Sequence, residues 1–93
     1  MDCVVVTRHQ ALVAYLQEIG LISGGAAVLP HATPEDIRGK HVIGVLPLHL
    51  AAEAETVTEV TLDLPAELRG QELTLEQIRQ YAGQPQTYKV QRI

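Results

Sequence analysis

The residues best equipped for chemistry lie together near the start of the chain, in the stretch VVVTRHQA, where Thr7, Arg8 and His9 follow an apolar run. The fork of an arginine matches a phosphate or a carboxylate, and the free N–H groups of a helix opening behind it favour an anion in the same place. A histidine gains or loses a proton near neutrality, as acid-base transfer to a phosphoryl or ribose oxygen requires. His49 offers a second such group, just after Pro47 in GVLPLHLAAE. Arg69 stands among Glu67, Gly70 and Glu72 in PAELRGQEL, where it either turns into a site or pairs on the surface. Each residue has a plainer alternative. Arg8 pairs with a carboxylate such as Glu53 or Asp63, and His9 and His49 serve as hydrogen-bonded structural histidines. His31 and His41, beside a turn and at a strand start, are expected at the surface.

The elements that must position these groups are legible from periodicity. Cys3 to Thr7 is a continuous apolar strand of the kind covered on both faces. Ala11, Leu12, Tyr15, Leu16 and Ile19 then form a helical stripe that closes at Gly20. GGAAVLP predicts a short second strand, TPEDIRG a helical turn capped by Thr33, and HVIGVLP a third strand ending at Pro47. Leu48 to about Glu55 favours helix, and VTEVTLDLP alternates as a fourth strand over Val60, Leu62 and Leu64. TLEQIRQYAG carries a capping box, Thr74 with Gln77, and stops at Gly83; TYKVQRI is a final edge strand defended by Lys89 and Arg92. Strands alternating with helices predict an α/β fold, a small Rossmann-like three-layer sandwich with a mostly parallel sheet of about five strands, spanning residues 1–93 as one domain. Ligands of such sheets sit beyond the carboxyl ends of the strands where the winding reverses. If the third strand neighbours the first, Arg8, His9 and His49 share one rim.

Composition removes several classes. With 46% hydrophobic residues, no Phe or Trp and three Tyr, the core is aliphatic and base stacking on aromatic platforms is not expected. A net charge of −4 argues against binding DNA or long RNA, while leaving room for a small anion held by local cations. The single cysteine, Cys3, allows no internal disulfide or CxxC pair and reads as an inert thiol. No apolar stretch approaches the ~20 residues of a membrane span, and no charged leader precedes an apolar segment, so a cytoplasmic protein is expected. His49 and Glu53 have i, i+4 spacing but lack a third metal ligand, so neither a metal nor another cofactor is expected. GxGxxG, GxxxxGK[ST] and GxSxG are all missing, which disfavours dinucleotide oxidoreductases, P-loop ATPases and serine hydrolases.

Two resemblances bear on function. VVVTRHQA looks like the first motif of histidine phosphatases, where a strand ends in Arg-His-Gly; here Gln10 replaces the glycine and no second catalytic histidine motif is recognisable. A wider match joins TRH, ALVAYLQEIGL, VIGVLPLHLAAE and LDLPAELRGQEL, which together resemble a small stand-alone protein family of type III CRISPR systems, the sixteenth of the Csx series. That resemblance implies a fold related to CARF domains, a two-fold homodimer, and a ring nuclease that binds cyclic tetra-adenylate and cleaves it to end the antiviral response. It further implies that Thr7, Arg8, Pro47 and Arg69 hold phosphate or ribose while His9 or His49 assists proton transfer. The rival from another class is a non-catalytic binder, a sponge or sensor module. A structural dimerisation domain, the third reading, would keep Arg8 and His9 engaged internally.

Overall fold

The computed structural model describes residues 3–93. Its strands are β1 (Cys3–Val6), β2 (Ala27–Leu29), β3 (His41–Gly44), β4 (Thr56–Glu59) and β5 (Gln86–Tyr88), and its helices α1 (Gln10–Glu18), α2 (Pro34–Ile37), α3 (Leu48–Ala51) and α4 (Leu75–Tyr81). The sheet order is β2-β1-β3-β4-β5, parallel except for the antiparallel β5 edge. From β1 the chain steps outward to β2, then crosses back over β1 to β3, so the winding reverses between β1 and β3. Right-handed crossovers in opposite directions put their helices on opposite faces. The packing obeys this rule. Leu12, Val13, Tyr15 and Leu16 of α1 close over Val5, Ile43 and Val60, whereas Ile37 of α2 and Leu50 and Ala51 of α3 pack with Val42 and Val57 on the other face. The result is the expected Rossmann-like sandwich with a mostly parallel five-stranded sheet.

The caps follow the local chemistry. Gly20 takes φ +80 to end α1, a conformation open to glycine at no steric penalty. At α4, Thr74 Oγ1 accepts from the Gln77 amide at 3.1 Å while Gln77 Oε1 accepts from the Thr74 amide at 3.0 Å. Replacing Thr74 by alanine should therefore destabilise the protein by about 1 kcal/mol, read as a fall of roughly 4–8 °C in Tm. An unchanged Tm would mean that tertiary packing alone holds α4.

Thr33 donates its amide to Asp36 Oδ2 at 2.9 Å and its hydroxyl to the same oxygen at 3.0 Å, and these bonds hold the Asp36 carboxyl below its ordinary pKa. Hydrogen bonds from Arg79 do the same to Glu18, with Nε at 3.1 and 2.9 Å from its two oxygens, pinning α4 onto α1. Both pKa values are depressed in the folded state. Their contribution to stability is therefore complete above the unfolded carboxylate range and lost as pH falls through the depressed native values. A Glu18→Gln, Asp36→Asn double variant should show a flatter acid limb in a Tm-against-pH series; parallel limbs would refute the assignment.

Several boundaries depart from the sequence pattern. β4 ends at Glu59 instead of running to Pro65, because Ile43 with Thr58 is the last β3–β4 pair and Val60 turns into the core. Beyond it, Leu62 bridges Ala82 and the Gly83 amide donates to the Thr61 carbonyl at 2.8 Å. Gly83 thus marks a close approach to Thr61 and takes no left-handed helix-ending conformation. α3 stops at Ala51, and a tight turn carries the chain to Glu55, whose amide donates to the Lys40 carbonyl at 2.8 Å.

His41, expected at the surface, is half-buried: its Nδ1 meets Thr56 Oγ1, and its Nε2 lies 3.0 Å from Thr58 Oγ1, which in turn is 2.8 Å from Thr87 Oγ1. Parallel pairing of His41 with Thr56 sets these hydroxyls beside the imidazole, and a half-buried ring bonded at both nitrogens is a structural histidine. Cys3 is half-buried, and desolvation raises its thiol pKa. Slow reaction with a thiol reagent in the folded state, and fast reaction once unfolded, is the expected result; prompt modification of native protein would contradict it.

Candidate functional site

The carboxyl ends of β1, β3 and β4 and the turn after β2 enclose a cavity of about 380 Å³. Its floor and walls are apolar, with Val6, Leu12, Leu16, Ile43, Val60 and Leu62 among them, and Thr7, Arg8 and His9 supply the polar contribution. Arg8 and His9 also line a recess against Leu62, Leu64 and Gly70 to Leu73, and another toward Gln10, Val28 and Pro30. The two side chains named first by the sequence therefore stand on a ridge that three recesses share. This ridge is at the point where the winding reverses, the place ligands occupy in doubly wound sheets.

Local structure explains their presentation. The Thr7 amide continues the β1–β2 pairing by donating to the Leu29 carbonyl at 2.9 Å, while Thr7 Oγ1 accepts from the His9 amide at 3.1 Å. That turn leaves the hydroxyl proton of Thr7 available to a ligand and projects Arg8 and His9 past the sheet edge. His9 occupies the N-cap position of α1 without a side-chain cap bond, and no acidic residue sits in the first turn. The positive end of α1 consequently adds to the Arg8 charge. At the opposite wall, Gly44 takes φ +146 and pairs with Val6; a Cβ there would lie 2.3 Å from the Val6 carbonyl oxygen. The strands can come together at the reversal because position 44 carries no side chain.

Among the described residues, Arg8 forms no ion pair; Glu53 is taken by Arg38 and Arg92, and Arg8 Nη2 instead approaches His31. The His9 ring has no hydrogen-bond partner among those residues, so the arrangement does not favour a purely structural role for the pair. His49, Pro47 and Arg69 are placed differently. Pro47 caps α3, and the backbone carbonyl of His49 accepts from Arg92 Nη2 at 3.4 Å; neither residue lines the recesses shared by Arg8 and His9. The β1–β3 adjacency holds, but α3 serves the opposite sheet face. Arg69 turns back to the Leu64 carbonyl at 3.4 Å, one residue before Gly70, which does line a recess.

Sequence reasoning missed His31 and Glu72 as neighbours of the site. His31 is exposed, as expected, yet bonded to Arg8, and Glu72 lines the recess that includes His9. Both depend on contacts far apart in sequence. The i, i+4 pair of His49 and Glu53 makes no metal site here, since α3 has ended before Glu53 and two arginines approach that carboxylate. No helix of the described residues is long and apolar enough to cross a membrane.

Fold and rim together define a small doubly wound α/β protein with a cationic edge at its winding reversal. The chain belongs to the family described as "Putative CRISPR-associated protein (Cas_VVA1548)", whose model matches residues 4–91. No curated protein and no solved structure matches it.

Proposed function

We propose that the chain is a ring nuclease of type III CRISPR signalling, which binds cyclic tetra-adenylate at the Thr7–Arg8–His9 ridge and opens it to linear adenylates. Membership of a CRISPR-associated family supports the biological setting. The observation that carries the chemistry is the ridge itself, with a cation that forms no ion pair among the described residues and an unbonded imidazole shared by three recesses. The apolar cavity of about 380 Å³ is within the range of small-molecule sites, roughly 300–1,000 Å³, and suits a nucleobase beside an anchored phosphate.

In this reading Arg8 grips two non-bridging phosphate oxygens and the Thr7 hydroxyl donates to the same group. The ribose 2′-oxygen attacks the adjacent phosphorus as it loses its proton, the bond from phosphorus to the 5′-oxygen breaks, and that oxygen takes up a proton. His9 then accepts the first proton or delivers the second. Each cleavage leaves a 2′,3′-cyclic phosphate on one end and a 5′-hydroxyl on the other. Ground-state positioning and the Arg8 charge supply catalysis without a metal in this scheme. A homodimer bringing two ridges together would match the two-fold symmetry of an even-numbered ring. The reading sets the activity in the cytoplasm.

Purified protein with excess cyclic tetra-adenylate and EDTA should give several turnovers to linear adenylates, resolved by chromatography. Intact nucleotide with a raised melting temperature would replace the nuclease by a sponge or sensor; intact nucleotide and no shift would overturn both.

A further inference from the structure

We infer that His31 is a positioning residue that holds the Arg8 guanidinium at the anion site without neutralising it. The inference rests on the proposed phosphate-binding role of the ridge. Arg8 Nη2 lies 3.0 Å from His31 Nε2 and 3.2 Å from Nδ1, across 23 positions of sequence. The contact joins the turn after β2 to the turn after β1, and Pro30, immediately before His31, lines two of the recesses that Arg8 lines.

The chemistry of the partner matters. A long arginine side chain loses substantial rotamer freedom when it is fixed on a ligand, and a protein contact made beforehand removes part of that penalty. The usual fixing partner is a carboxylate, which would occupy the fork and cancel the charge needed for a phosphate. Only one ring nitrogen of a neutral imidazole can accept, so at most one of the two Nη2 approaches is a hydrogen bond. This neutral contact uses one N–H of the five and leaves the remaining edge of the guanidinium for a bidentate grip and its charge intact. Among the described residues no acid pairs with Arg8, while Arg38, Arg79 and Arg92 all pair with glutamates. His31 therefore gives Arg8 a neutral anchor, which leaves its charge free for a phosphate.

Three variants separate this role from a merely structural one. His31→Ala should release the Arg8 side chain, read as increased motion of its Nε–H group by ¹⁵N relaxation, and should weaken cyclic tetra-adenylate binding about tenfold while leaving kcat near wild type. His31→Gln, which keeps a neutral acceptor, should restore both. His31→Glu should fix Arg8 but bind the nucleotide more weakly than His31→Ala, because the carboxylate competes with the phosphate. Equal affinity in wild type and His31→Ala, or an Arg8 that stays equally ordered, overturns the inference. If wild type neither binds nor cleaves the nucleotide, the proposed function fails, and the relaxation measurement still decides whether His31 holds Arg8.

Discussion

Gly44→Ala is expected to be the most damaging single substitution in the protein. The new Cβ would meet the Val6 carbonyl oxygen at 2.3 Å, a backbone atom with no rotamer to yield, and the residue would have to hold φ +146. Strain and overpacking of this kind cost about 3 kcal/mol or more, against a total stability of roughly 5–14 kcal/mol for a chain of this length. Tm should fall by roughly 12–24 °C, or soluble protein should be lost. Gly25→Ala is the matched control, since open space surrounds a Cβ there and its φ is not positive; it should be near neutral. A Gly44→Ala protein that melts with wild type would refute the close β1–β3 approach. Because Val6 and Gly44 both line the cavity, a variant that folds should also lose ligand affinity.

The second large effect is the division of labour between Arg8 and His9. His9→Ala should lower turnover of cyclic tetra-adenylate by about 10²-fold or more with little change in affinity, as removal of an acid-base group does. Arg8→Ala should weaken binding and rate together, because its charge acts on the phosphate both before and during the reaction. Single-turnover kinetics with each variant, beside equilibrium binding, separates the two. Wild-type turnover in His9→Ala would remove His9 from the chemistry. His49→Ala is expected to leave kcat within a few fold, since the structure sets His49 on the helix serving the other sheet face.

Much of this architecture was written in local sequence. Apolar runs marked the buried strands, and the Thr33 and Thr74 signatures marked helix starts, because burial and capping are decided within a few residues. The arginine and histidine after the first strand were legible for the same reason: polar side chains that end a buried strand must leave the sheet. What depended on tertiary contacts was harder to see. The alternation through Leu64 predicted a longer fourth strand, but a strand lasts only as long as its neighbour, and β3 ends at Gly44. His41 gave no local sign of its threonine partners on β4, nor His31 of Arg8. Arg69 and His49 sat at plausible offsets, yet a 3₁₀ turn at Ala66–Leu68 and the α3 placement took them elsewhere.

The ridge and its walls come from distant parts of the chain: Thr7 to His9 supply the charge, while Val60, Leu62 and Gly70 to Leu73 close the recesses around it. A growing polypeptide thus makes its reactive groups well before the walls of the main cavity, since Val60 and Leu62 lie more than fifty residues beyond His9. An occupant touching both sets would act as a brace between early and late segments, so its presence should slow amide exchange around Leu73 as strongly as around His9. Premature termination before Val60 would yield a fragment that holds the cation and histidine without their enclosure, which separates possession of the reactive residues from possession of a working site.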